Sequence, residues 1–316
     1  MLKNQNPHIF SVPSKIFLLG EYVVLKEKPG IVAALEPKFS LSISKKEKNN
    51  NLVSFPFHSE SPAGKFFSKN KDIFSHSAFE FYDPFKGGFG GSSAEFVLLW
   101  AILSDSQKSM DAYQEYRSLF DDQKITPSGF DVLVQIEGGI LWCHPSEKKI
   151  EHLEKKSFPW SQFLIFSATQ IKDQKVKTHE HLASNSLIEK MSNEIWLQQL
   201  SEIVQKGLEA IKNNNLNIFA ECLNEYAFTV EEQKLCTGRT IELMNFLRKY
   251  KNVIGVKGCG AGLADAFIVL MDSVLSNQEM EKLKEEALQK GLRFIQQGIG
   301  FSKGLNECNK VLKEKV

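Results

Sequence analysis

This sequence has little of what marks secreted, membrane-bound or nucleic-acid-binding proteins. Cysteine is sparse. Cys143, Cys222, Cys236, Cys259 and Cys308 are scattered, odd in number and without Cys-x-x-Cys spacing, which argues against a disulfide framework or a cysteine-built zinc site. Neither sign of charge dominates: 39 Lys and Arg stand against 38 Asp and Glu. The resulting net charge of +1 argues against a broad nucleic-acid-binding surface. Long apolar runs are missing too, since Ile16-Phe17-Leu18-Leu19 is cut by Gly20-Glu21, too short for a signal segment or a membrane span. No internal repeat or low-complexity tract is present. What remains, 316 residues with 42% hydrophobic and 24% charged content, suits a soluble globular protein of one large domain or two. The expectation is a cytoplasmic enzyme with no nucleic-acid or membrane partner, a monomer or homodimer.

Periodicity suggests mixed strand and helix. Ile16 to Leu19 and Tyr22 to Leu25 are short strand-like runs, and Phe39 to Ser44 alternates like a half-buried strand. Residues from about Pro56 to Asp72 read as a loop or lid of low order. Helical patterns cover Ser93 to Leu103 and Met110 to Phe120. A charged, aperiodic stretch from Lys149 to Ser157 suggests a boundary, with one unit over 1–157 and a second over 158–316. The second opens on a buried strand at Phe163 to Phe166 and continues with helical patterns at Ile195 to Lys212, Asn217 to Ala227 and Thr240 to Lys249. A strand at Phe267 to Met271, a helix at Asn277 to Lys290 and a strand at Leu292 to Gln296 complete it, an α+β pattern.

The most informative stretch is Lys86-Gly87-Gly88-Phe89-Gly90-Gly91-Ser92-Ser93-Ala94-Glu95, running into the apolar Phe96 to Leu103. Glycines let a backbone turn tightly and approach a ligand without a Cβ in the way. The serines sit where an N-cap belongs. A glycine loop opening onto a helix N-terminus presents free N–H groups and the positive end of the helix dipole, a site for phosphate. It is no Walker A loop, because no lysine follows Gly91. Nor does it follow a first strand, as a dinucleotide fingerprint should.

Three further pieces are unremarkable singly. Lys15, in Pro13-Ser14-Lys15 before the Gly20-Glu21-Tyr22 turn, opens an apolar run; alone it reads as a solvated strand-edge lysine. Asp131, in Pro127-Ser128-Gly129-Phe130-Asp131, follows a tight turn at the mouth of an apolar strand and alone reads as a turn aspartate. Lys257-Gly258-Cys259-Gly260-Ala261-Gly262 marks a tight glycine turn, with Cys259 a small packed side chain.

Together and in this order, these pieces resemble the small-molecule kinases named for galactokinase, homoserine kinase, mevalonate kinase and phosphomevalonate kinase, the GHMP family. The resemblance runs from about Phe10 to Met271. Ser128-Gly129-Phe130-Asp131 followed by Gly138-Gly139 is similar to the mevalonate branch, and Tyr22, where mevalonate kinases usually carry His, is closer to phosphomevalonate kinases. Departures are Ser14 for a usual glycine, Phe89 inside the glycine loop, and Glu95 where a small residue is common. The usual magnesium-binding Glu is also missing before the aspartate, leaving Asp121 or Asp122 in range.

The resemblance implies an α+β two-domain GHMP-kinase fold: an N-terminal ATP-binding α/β domain with the phosphate loop, then a ferredoxin-like α/β sandwich. It implies ATP-dependent phosphoryl transfer to a small anionic acceptor of the mevalonate pathway, phosphomevalonate first and mevalonate as the alternative. Lys86, Gly87, Gly88, Gly90, Gly91, Ser92, Ser93 and Ala94 would hold ATP. Ser92 or Ser93 with Asp121 or Asp122 would hold Mg²⁺, which favours oxygen ligands. Asp131 would orient or deprotonate the acceptor, with Lys15 beside it keeping it ionised. Glu21, Tyr22, Ser128, Gly129, Gly260, Ala261 and Gly262 would line the acceptor, with Lys177 and His179 as its cationic contacts.

Overall fold

The computed structural model describes residues 7–45, 55–75, 77–85, 88–104, 106, 108–121, 125–168, 189–260 and 266–308. Its strands are β1 (His8–Leu19), β2 (Gly30–Lys45), β3 (Ser77–Tyr82), β4 (Ile140–His144), β5 (Lys149–His152), β6 (Phe163–Ala168), β7 (Val253–Cys259), β8 (Ala266–Met271), β9 (Leu292–Gln297) and β10 (Asn306–Cys308). Its helices are α1 (Pro62–Lys69), α2 (Lys71–Phe74), α3 (Gly91–Leu103), α4 (Ser109–Ser118), α5 (Phe130–Glu137), α6 (Glu194–Lys212), α7 (Leu216–Glu232), α8 (Gly238–Leu247) and α9 (Asn277–Gln289).

Two antiparallel sheets organise the chain. The first runs β10-β1-β2-β4-β5, with β3 also on β2. The long β2 serves two partners on one edge: Gly30 to Ala33 pair with β4, and Ser40 to Lys45 pair with β3. The second sheet runs β7-β8-β6-β9. Helices α7 and α8 pack on β7, and α9 on β9, which makes the two-layer sandwich expected of the second half. Helix α3 is apolar almost all round because it is enclosed by α1, α5 and β1. Ordinary caps fix the long helices: Asn193 and Asn215 accept from the first turns of α6 and α7, and Ser276 with Glu279 forms a capping box on α9.

Four local expectations are corrected. Val23–Lys26 is a 3-10 turn and not a strand, because the chain reverses tightly there. A Cβ on Gly20 (φ +119) would lie 2.7 Å from the Gly30 Cα. The stretch read as a lid contains α1, capped by Ser61 accepting from Gly64 N–H at 3.1 Å. Its phenylalanines hold it down: Phe55 stacks on Phe67 at 3.8 Å, and Phe57 meets Phe81 of β3 at 5.2 Å. The segment after Gly129 is the helix α5, although Val132, Val134 and Ile136 favour a strand; packing against β1 and α3 overrides propensity. Lys257 to Cys259, read as the start of a glycine turn, belong to β7. Gly255 lies against the Ala220 backbone of α7 and Gly258 against Thr240 of α8, so these glycines admit covering helices.

Candidate active site

Three elements from distant parts of the sequence converge around Lys15. Extended β1 places its side chain on the face toward α5, where Nζ lies 3.0 Å from Asp131 Oδ2. The pair is largely shielded, with the side chains 12% and 26% exposed, so the attraction is screened less than at an open surface. Asp131 sits in the first turn of α5, where the helix dipole favours a negative charge. Gly129 caps that helix at φ +74, and a Cβ there would strike the Tyr113 ring at 2.7 Å. Half-buried Ser128 lies just before the cap.

The glycine loop meets the same lysine. The Phe89 carbonyl accepts from Lys15 N–H at 3.0 Å. A Cβ on Gly90 (φ +88) would fall 2.8 Å from Lys15 Cγ. The requirement for glycine is therefore strict at 90. At Gly91 the nearest atom would be at an ordinary 3.6 Å. Phe89, the unexpected residue in this loop, is fully buried and stacks on Phe85 at 4.3 Å, which anchors the loop to the core.

The cap of α3 is Gly90, not a serine; Ser92 and Ser93 lie inside the first turn. Ser93 Oγ is committed to the Gly90 carbonyl at 2.9 Å. Ser92 Oγ is buried without a hydrogen-bond partner among the described residues. Both hydroxyl oxygens keep lone pairs for a metal, Ser93 while it donates and Ser92 with no partner among the described residues. Ala94 N–H closes the first helical bond to Gly90, and Gly88 turns at φ +90. Asp121 is exposed just past α4. No group of three His, Cys, Asp or Glu residues gathers as a metal site among the described residues. Burial, with Asp83 nearby, pushes the Glu95 carboxyl up to about 8, so beside a phosphate loop it is mostly neutral at pH 7.

Glu21 and Tyr22 follow the end of β1 and line a small recess with Tyr226, Met244, Lys257 and Gly260. Glu21 Oε1 is held by the Lys257 ammonium in a buried ion pair, and Tyr226 donates its hydroxyl to the Glu21 carbonyl. Glu21 Oε2 and the Tyr22 hydroxyl are buried and unpartnered among the described residues. Cys259 reaches back to the Phe17 carbonyl at 3.5 Å; burial raises its thiol to about 12, consistent with a packed side chain. Gly260 ends β7 at φ +86. Lys86, Gly87, Asp122, Lys177, His179, Ala261 and Gly262 lie outside the described residues.

Two participants escaped the sequence reading. Lys257 had no role of its own in the glycine motif that contains it; in β7 it pairs with Glu21. Gln135, fully buried, donates to the Gly90 carbonyl at 3.0 Å. Its signal is the four-residue spacing from Asp131, which carries meaning only once the segment is a helix.

The sequence matches no protein-family model and no curated protein sequence. Solved structures do superpose on it over nearly its whole length. Mevalonate kinase from Methanococcus jannaschii is 15% identical, with 94% of this chain and 99% of that one covered at a TM-score of 0.68. Galactokinase from Lactococcus lactis, solved with galactose, is 14% identical, with 95% of both chains covered at 0.70. Phosphomevalonate kinase from Streptococcus pneumoniae, solved with phosphomevalonate and AMPPNP, is 14% identical, with coverage of 92% and 99% at 0.66. The fold is that of the GHMP kinases. Among the described residues no helix is long and apolar enough to cross a membrane.

Proposed function

We propose that this chain is an ATP-dependent small-molecule kinase acting on a mevalonate-type acceptor. The observation that carries the reading is the Lys15–Asp131 pair at 3.0 Å, built against the Gly90 turn at the N-terminus of α3. Phosphoryl transfer asks little covalent work of a protein; it needs alignment and charge neutralisation. The N–H groups from Gly88 to Ser93 would hold phosphate oxygens, since that of Ala94 already bonds to Gly90. Ser92 or Ser93, with Asp121 or Asp122, would hold Mg²⁺, which when bound shields the negative charge of the phosphates. Asp131 would orient the attacking oxygen, the phosphate oxygen of a phosphorylated acceptor or a hydroxyl whose proton it would take, and Lys15 would offset charge on the transferred group. Glu21 Oε2 and the Tyr22 hydroxyl, polar atoms without a partner among the described residues, would receive hydroxyl groups of the acceptor.

For the acceptor itself we propose phosphomevalonate, on the strength of Tyr22 and the Gly20-Glu21-Tyr22 turn, with Lys177 and His179 as contacts for its phosphate. One observation favours mevalonate instead: the cation facing the cavity, Lys257, is already neutralised by Glu21. Measuring ATP consumption with each compound side by side decides between them. Turnover of phosphomevalonate is expected; turnover of mevalonate alone gives the site to the alternative, and turnover of neither removes the pathway assignment.

A further inference from the structure

The Gly90 carbonyl accepts three hydrogen bonds. Ala94 N–H at 2.9 Å and Ser93 Oγ at 2.9 Å belong to the local turn of α3. The third donor, Gln135 Nε2 at 3.0 Å, arrives from α5. Gln135 is fully buried among apolar residues of that helix, where a polar side chain is tolerated only if it bonds. It stands one helical turn beyond Asp131, on the same face. Lys15 and Gln135 also flank one glycine: a Cβ on Gly90 would meet Lys15 Cγ at 2.8 Å and Gln135 Nε2 at 3.2 Å. Next door, the Phe89 carbonyl accepts from Lys15 N–H.

These contacts close a circuit. It runs from the Lys15 ammonium to Asp131, along one turn of α5 to Gln135, across to Gly90, and back through Phe89 to the Lys15 backbone. A residue that merely filled space at 135 would be apolar like its neighbours Val134 and Ile136. This one also carries a buried Oε1 with no partner among the described residues.

We infer that Gln135 is a positioning residue for phosphoryl transfer, tying the phosphate loop to the helix that carries Asp131 so that nucleotide binding and the placement of Asp131 are one event. The inference rests on the kinase reading, and the experiment separates the two. Hydrogen–deuterium exchange of the wild-type chain with and without AMPPNP, no acceptor present, should show new protection both at 88–94 and at 130–137. Protection of the loop alone overturns the coupling; protection of neither overturns the coupling and the kinase reading together. Gln135→Met, similar in volume but without the amide, should uncouple the two segments. In steady state it should lower kcat at least tenfold and raise the KM for ATP about tenfold, with the acceptor KM moving less than twofold. A variant with wild-type kinetics overturns the proposal, and if the variant fails to fold, the wild-type exchange result decides alone.

Discussion

Lys257, in the middle of a strand of the second sheet, donates to Glu21 at the end of β1 in an ion pair that solvent barely reaches. Desolvation works against the Lys257 charge, yet its ammonium is held above its ordinary range by Cys259 and Glu21. Removing one partner leaves the other charge buried alone, which typically costs about 3–5 kcal/mol. Lys257→Met should therefore lower stability by roughly that amount in denaturant titration. Replacing both, as Glu21→Leu with Lys257→Met, should recover much of the loss, because an apolar pair of similar volume leaves no orphan charge. A double variant no more stable than the single one would show that the two residues act separately.

Asp131→Asn keeps shape and removes the base. Turnover should fall about 10²- to 10⁴-fold, the usual contribution of a positioned general base, while nucleotide affinity measured by calorimetry stays within about twofold of wild type. A variant with half the wild-type rate would end the assignment of Asp131.

Gly90→Ala tests the close approach. The residue holds φ +88, and the added methyl would meet the Lys15 stem at 2.8 Å. Both nucleotide affinity and kcat should drop by at least about tenfold, the consequence of displacing a reacting group. Gly91→Ala, with its nearest contact at 3.6 Å, should be nearly silent. Equal damage from both would mean that the loop needs flexibility and not clearance.

Glu95 supplies a pH dependence. Its carboxyl titrates at about 8 in the fold against an ordinary value of 4.5. The folded state therefore binds the extra proton between those values, and stability falls as pH rises through that window. Glu95→Gln keeps the neutral form at every pH. It should leave the thermal midpoint nearly unchanged at pH 4.5 and raise it progressively toward pH 8.5. A constant difference across that range would mean that Glu95 is ionised in the fold.

Legibility in the sequence followed how local each determinant is. The helices and strands of the second half were readable because their apolar spacing and caps, such as Ser276 with Glu279, are short-range. Lys15 and Asp131 stood out only through the order of motifs; nothing near either residue announces the other. The errors came where distant packing decides. Val132 and Val134 carry strand propensity, yet α3 and β1 hold them in a helix. Gly258 resembles a turn glycine, yet it makes room for α8. Gln135 was hidden by the first of these errors, since its alignment with Asp131 exists only at helical spacing.

The pairing of β10 with β1 carries a consequence for how the protein can be made. Ile9, Phe10 and Ser11 take their outer partners from Cys308, Glu307 and Asn306. Just upstream of these, Ser302 and Leu305 exchange backbone hydrogen bonds with the end of α5 and with Gly139. The strand that carries Lys15 is thus translated well before the neighbour that covers its outer edge. Until then the nascent chain exposes an uncovered β-edge, the kind of surface that recruits other chains. Expression of residues 1–298 should yield aggregated protein, and a peptide spanning 299–308 supplied in trans should improve its recovery.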